Sequence, residues 1–128
     1  MPLDLLPDSF AVCRLDPDAA LPTWAGGRFL TVSRTPDELS LTLPEYFVPA
    51  EVRAERGWRL LKVRGPLDMT LVGILASLAV PLAQANVSIF AISTYDTDYL
   101  LVRARQLEAA VAALEQAGHT VARGRGAA

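Results

Sequence analysis

The chain of 128 residues contains little of the side-chain chemistry on which most enzymes depend. It has one histidine, His119, one cysteine, Cys13, and one lysine, Lys62. A lone cysteine excludes an internal disulfide, and one histidine with one cysteine cannot form the usual zinc site. A catalytic triad would have to use His119, and a Schiff-base enzyme Lys62. The composition therefore argues against an enzyme, and we expect neither a metal nor a cofactor.

An excess of charge of either sign is also lacking. The 12 basic and 14 acidic residues give a net charge of -2, which leaves no basic surface for a nucleic-acid backbone. We therefore expect no nucleic-acid partner. Charged residues make up only 20% of the chain and hydrophobic residues 52%, and this balance excludes a disordered chain. The length fits one ordinary domain or two very small ones.

One uncharged stretch is long enough to cross a membrane, but its sequence predicts something else. No charged residue occurs in the range 69–92. Pro81 and Asn86 interrupt this stretch, and residues 87–92 have the composition of a strand. We interpret it as a buried helix followed by a buried strand, with no membrane contact. The first ten residues lack a positive region and do not predict a signal peptide. These features predict a cytoplasmic protein.

The second half of the chain has a regular order of predicted elements. A helix pattern begins after Asp68, which is placed to cap it, and its apolar stripe consists of Leu71, Ile74, Leu75, Leu78 and Leu82. A second helix pattern ends at Gly118. Strand patterns cover residues 58–63, 87–94, 98–103 and 120–122. The order βαββαβ predicts an α+β, ferredoxin-like sandwich of four antiparallel strands with two helices on one face.

The first half resembles the second half faintly. A strand pattern at residues 9–15 precedes a predicted hairpin that covers 28–33 and 38–43. Matching the two hairpins leaves the first copy with a connecting helix about ten residues shorter. We therefore predict two subdomains, a degenerate one over residues 1–57 and a complete one over 58–128 that ends in a loose tail. Chance similarity between two hairpins is the alternative.

Two runs in the second half resemble a known family. They are residues 65–75 (GPLDMTLVGIL) and residues 89–102 (IFAISTYDTDYLLV). Both resemble the small bacterial tandem ACT-domain proteins, which are similar to the ACT modules of aspartate kinase and of CASTOR-type arginine sensors. The resemblance is strong over 58–120 and weaker over 28–44. It implies a non-catalytic regulatory or sensor protein that binds an amino acid or another small molecule at a subunit or domain interface. A homodimer is also expected, because a small sandwich leaves a sheet edge to cover.

The resemblance also implies which residues contact the ligand. They belong to the loop after the first ACT strand and to the turn after the second: Pro66, Leu67, Asp68, Met69, Thr70, Ser93, Thr94, Tyr95, Asp96, Thr97 and Asp98. Independently of the family, carboxylates are suitable partners for an ammonium or guanidinium group. Free N–H groups at the start of the predicted helix, over 69–71, are suitable for a carboxylate.

Other interpretations of the same residues stay open. One alternative is that Asp68 serves only as a helix cap and the polar turn only as a turn. Asp96 and Asp98 could instead hold a hard metal ion or act as an acid–base pair in a small enzyme. The chain could also be a protein–protein interaction module that binds no metabolite.

Overall fold

The computed structural model describes residues 1–68 and 72–123. The described residues form seven strands and two α-helices: β1 (Pro2–Leu15), β2 (Thr31–Arg34), β3 (Leu39–Pro44), β4 (Ala54–Val63), α1 (Ile74–Gln84), β5 (Ile89–Ser93), β6 (Asp98–Arg103), α2 (Leu107–Gln116) and β7 (Thr120–Ala122). The chain divides into two compact units. The N-terminal unit is Asp8–Trp58, and the C-terminal unit combines Met1–Pro7 with the residues from Arg59 onward. Strands β1 and β4 therefore supply residues to both units.

The C-terminal unit contains the predicted βαββαβ order, from β4 to β7. Strands β5 and β6 pair in antiparallel fashion and end where Ser93 lies opposite Asp98, and β6 lies beside β4. The mixed α and β architecture confirms the predicted ferredoxin-like fold class. One addition was not predicted: the first part of β1 lies between β4 and β7. It runs parallel to β7, and the Pro2 carbonyl accepts a hydrogen bond of 2.9 Å from the Arg64 N–H.

The core of the C-terminal unit lies between its two helices and its strands. Leu78, Leu82 and Leu114 are fully buried there, together with Leu3 of β1. The predicted stripe of α1 is only partly confirmed, because Leu75 is 36% exposed. Neither helix in the described part of the chain has the length and apolar run that a membrane crossing requires.

Pro81 lies inside α1 and does not end it. A proline has no N–H to donate to the carbonyl four residues earlier, which here belongs to Ser77. The His119 ring supplies the missing donor, because its Nε2 lies 3.0 Å from the Ser77 carbonyl oxygen. His119 is buried, with only 8% of its surface exposed.

The N-terminal unit has the strand order β2-β3-β1-β4. Leu15 lies opposite Leu39, and the Arg14 N–H donates to the Arg53 carbonyl at 3.0 Å. The order β2-β3-β1-β4 is that of a ferredoxin-like sheet. The described residues of this unit form no α-helix, so the prediction of a shortened connecting helix is wrong. Pro22 and the Gly26-Gly27 pair explain the loop over 16–30, since both disfavour a helix.

Candidate functional site

A pocket of about 320 Å³ lies in the C-terminal unit. Its walls are the loop after β4, the start of α1 and the turn between β5 and β6: Leu67, Asp68, Gly73, Ile74, Leu75, Ser93, Thr94, Tyr95, Asp96, Thr97 and Asp98. Three of these described residues carry carboxylates, and none carries a basic side chain. The size is that of a small-molecule site, and the charge favours a ligand with a cationic group.

The turn between β5 and β6 is held in place by two threonines. The Thr94 N–H donates to the Thr97 carbonyl at 2.9 Å, which closes the turn. The side chain of Thr97 is 4% exposed, and its Oγ1 donates to the Val63 carbonyl at 2.7 Å. This buried hydrogen bond fastens the turn to the end of β4. The turn that lines the pocket is therefore joined directly to the strand whose following loop also lines it.

A second hydrogen bond joins the two walls of the pocket. The Leu67 N–H donates to the Asp96 carbonyl at 2.7 Å. Gly65 makes this close approach possible: a Cβ there would lie 3.1 Å from the Leu67 nitrogen and 3.2 Å from the Thr97 Cβ. Such contacts are tighter than side chains ordinarily make. The loop and the turn are thus one connected framework.

The start of α1 differs from the prediction. The helix begins at Ile74, and its N-cap is Gly73 in the left-handed conformation, with φ of 79°. Asp68 lies five residues before this cap, so its predicted role as the N-cap is wrong. Glycine adopts the left-handed conformation without the steric cost that a side chain adds. The first turn of α1 contains no acidic residue, and its first N–H groups have no partner within the helix.

The structure brings most of the predicted site residues together. Leu67, Asp68 and the whole turn 93–98 line the pocket. Pro66 is exposed and does not line it, while Met69 and Thr70 lie outside the described residues. Gly73, Ile74 and Leu75 also line the pocket, although the sequence pattern did not predict them as site residues. The glycine directly before the apolar helix pattern was the sequence signal that could have placed these three residues at the start of the helix, and so at the pocket.

The carboxylates of the turn differ in their surroundings. Asp98 Oδ1 accepts a hydrogen bond of 2.6 Å from Ser93 Oγ, so this carboxylate is held by its own hairpin. The Asp96 side chain is exposed and accepts no hydrogen bond from the other described residues. Within residues 1–68 and 72–123, no group of three metal-ligating side chains occurs. Asp96 is thus the carboxylate of the turn that a ligand reaches most easily.

The three scarce reactive side chains lie away from the pocket. Cys13 is 1% exposed, and burial raises the pKa of its thiol while the nearby Arg56 opposes that rise. The thiol is therefore neutral near pH 7 and a poor nucleophile. His119 is occupied by the Ser77 carbonyl, as described above.

Similar proteins were found by sequence and by structure. A solved structure from Agobacterium tumefaciens is 38% identical, with a TM-score of 0.90, and the match covers 95% of this chain and 92% of that chain. The regulatory subunit of aspartate kinase from Thermus thermophilus has a TM-score of 0.60 at 16% identity, over 91% of this chain and 96% of that one. That likeness shows a shared fold.

A curated relative is the "cytosolic arginine sensor for mTORC1 subunit 1" of Bos taurus. It is 31% identical over 114 residues, which are 80% of this chain and 32% of that protein. The chain thus spans about a third of the length of this relative. A family model described as an N-terminal domain matches residues 8–51. The model of the ACT domain matches residues 53–116, which is 64 of the 128 residues. The chain belongs to the ACT domain family.

Proposed function

We propose that this protein is a non-catalytic regulatory sensor that binds an amino acid or a related metabolite in the pocket of its C-terminal unit. The single observation that carries the proposal is that the pocket joins a helix N-terminus to three carboxylates. An amino acid has a carboxylate and an ammonium group a few ångströms apart. The N–H groups at the start of α1 suit the carboxylate, and Asp68 and Asp96 suit the ammonium group.

The regulatory part of the proposal follows from linkage. A ligand that binds only the ordered pocket stabilises that arrangement by RT ln(1 + [L]/Kd), which is about 2.7 kcal/mol at a hundredfold excess over Kd. The loop that contains Leu67 and the turn that contains Asp96 are hydrogen-bonded to each other, so ordering one orders the other. We take Met69 and Thr70, which lie outside the described residues, as further contacts of the ligand. The bovine relative is named as a cytosolic protein, which supports a cytoplasmic location for this protein.

The experiment is a thermal-shift screen of the protein against the twenty amino acids, followed by calorimetry on the compounds that stabilise it. For a hit, we expect Asp96→Asn to weaken binding about 10- to 100-fold, since a hydrogen bond to a charged group contributes about 1.5–3 kcal/mol. Asp18→Asn is the matched control, because Asp18 is an exposed acid outside the pocket. The absence of any shift at millimolar concentrations would contradict the proposal.

We also propose that the protein is a homodimer. Strand β5 ends the strand order of the described sheet and pairs only with β6 there. Its sequence over Ile89–Ser93 contains no charge and no proline, the residues that usually protect an exposed edge. Two copies that pair through β5 would satisfy the unpaired N–H and C=O groups of this edge symmetrically.

An interaction module without a metabolite is the second candidate. The observation in its favour is that Val72 and Tyr95 are 91% and 82% exposed beside the pocket. A partner protein could cover these side chains. An enzyme that uses Asp96 or Asp98 is less favoured, because the described residues that line the pocket include no histidine, cysteine or lysine. The screen separates the sensor from the interaction module, which gives no shift. An activity assay tests the enzyme, whose turnover Asp98→Asn should abolish.

We regard the N-terminal unit as a degenerate ACT-like repeat, with its boundary near residue 57. Its strand order β2-β3-β1-β4 supports this interpretation, since it is that of the ferredoxin-like sheet.

A further inference from the structure

The two hairpin turns of the chain have the same construction. In the N-terminal unit, the Thr35 N–H donates to the Glu38 carbonyl at 2.9 Å, and Thr35 Oγ1 accepts from the Glu38 N–H at 3.2 Å. In the C-terminal unit, Thr94 and Thr97 make the same two bonds, at 2.9 and 3.5 Å. Each turn therefore spans four residues and begins with a threonine.

This equivalence identifies the counterpart of Ser93. The last paired residues before the turns are Arg34, opposite Leu39, and Ser93, opposite Asp98. An alignment of the two halves by sequence similarity alone pairs Ser33 with Ser93 and Thr35 with Tyr95 instead. The turn geometry corrects that alignment by one position. Arg34 thus stands where the pocket of the C-terminal unit has a small serine.

The two side chains act differently. Ser93 Oγ turns to Asp98 at 2.6 Å and leaves the pocket open. The Arg34 guanidinium reaches the loop that follows β1: Nη1 donates to the Pro17 carbonyl, and Nη2 donates to the Ala19 carbonyl at 2.8 Å. That loop follows β1, the first strand of its unit, as the loop containing Leu67 follows β4, the first strand of the βαββαβ order. Arg34 therefore bridges the same pair of segments, loop and turn, between which the pocket of the C-terminal unit lies.

We infer that Arg34 occupies, in the N-terminal unit, the place that the cationic group of a ligand takes in the C-terminal unit. This inference rests on the proposed function, because it takes the pocket as the ligand site. It has two consequences. The chain binds one ligand, since its second site is closed by its own side chain. When Arg34 is replaced by a smaller residue, the vacated site accepts a guanidinium compound, because the carbonyls of Pro17 and Ala19 already bind the guanidinium group of Arg34.

The test replaces Arg34 by the residue of the open site, Arg34→Ser, and titrates the variant with L-arginine. Amide chemical shifts locate the binding, and calorimetry counts the sites. We expect a new set of shifts at residues 16–19 and 34–39, which the wild type does not show. Arg28→Ser is the matched control: Arg28 is an exposed arginine of the same unit that makes no hydrogen bond or ion pair with the described residues. A thermal melt checks that both variants fold, and Arg34→Gln replaces Arg34→Ser if it does not.

The outcomes separate this inference from the proposed function. New shifts at 16–19 in the Arg34 variant support the inference, whether or not the wild-type pocket responds to L-arginine. Wild-type shifts confined to 93–98, with no new set in the variant, support the proposed function and overturn the inference. The inference is also overturned if the wild type already responds at 16–19, or if Arg28→Ser gains the same shifts.

Discussion

At the scale of single residues, His119 supports α1 at the point that Pro81 weakens. Its Nε2 donates to the Ser77 carbonyl, which has no backbone donor four residues later. His119→Leu should lower the free energy of unfolding by about 1–3 kcal/mol, because it leaves a buried carbonyl without a donor. Urea denaturation measures this loss.

The decisive control for this prediction is a double-mutant cycle. Pro81→Ala restores the N–H that the Ser77 carbonyl lacks, so His119→Leu should cost about 1 kcal/mol less in that background. An equal cost in both backgrounds would show that the two residues act independently.

Thr97 is the second residue whose role depends on one hydrogen bond. Thr97→Val keeps the shape of the side chain but removes the donor to the Val63 carbonyl. We expect a loss of about 1–2 kcal/mol in unfolding free energy and faster amide exchange at Leu67, whose N–H joins the same framework. Thr97→Ser, which keeps the hydroxyl, should preserve the protection of Leu67. Unchanged exchange in Thr97→Val would contradict the coupling of the two pocket walls.

Most of the site residues could be predicted from the sequence, because strand ends and turns appear there as changes of composition. The polar turn 94–98 between two apolar strands is such a change, and all five residues line the pocket. Asp68 was misassigned as a cap because an acid before an apolar run is the usual sign of a helix start. The actual start depends on the backbone conformation of Gly73, which the side-chain pattern does not encode.

At the scale of elements, the start of α1 is the part of the site that depends most on an unusual backbone conformation. Gly73→Ala should lower the stability by about 1 kcal/mol, since φ of 79° is unfavourable for a residue with a Cβ. Among the described residues, and apart from the two chain neighbours of Gly73, no atom lies within 4 Å of the added Cβ, so these residues do not crowd it. Gly73→Asn, which tolerates the left-handed conformation, should lose less. Thermal unfolding ranks the variants, and equal losses would contradict this explanation.

The elements predicted most accurately are those whose sequence shows a strong periodicity. The second helix and the β5–β6 hairpin were predicted within a few residues of their observed bounds. β1 was predicted to begin at Ser9, yet it begins at Pro2. The prolines and aspartates of this segment suggest a loop. The segment is a strand because Leu3 and Leu5, two residues apart, are both buried in the core.

At the scale of the whole molecule, the proposed homodimer gives a further prediction. Ala91→Lys places a charge in the middle of β5 and should shift the protein towards the monomer, because a charged edge resists strand pairing. Val32→Lys is the control, since Val32 is an exposed residue of β2 in the other unit. Light scattering after gel filtration, at equal protein concentrations, gives the mass. A monomeric wild type would contradict the proposal.

The class of fold was predicted from the order of elements alone, because βαββαβ allows few topologies. The place of the first part of β1 was beyond such prediction. Its position between β4 and β7 depends on a strand pairing between residues that lie far apart in the sequence, and no local pattern reports such a pairing.

The division of β1 and β4 between two units has a consequence for how the chain can be cut. The Pro2 carbonyl is hydrogen-bonded to the Arg64 N–H. Five residues from this hydrogen bond, β1 reaches Pro7 and β4 reaches Arg59, and the units divide at these two residues. The whole of Asp8–Trp58 is therefore an insertion whose two ends are neighbours in antiparallel strands. A two-residue hairpin loop could replace all of it and leave every strand of the remaining unit in place. A simple cut before Trp58, in contrast, removes a strand from the unit it is meant to isolate.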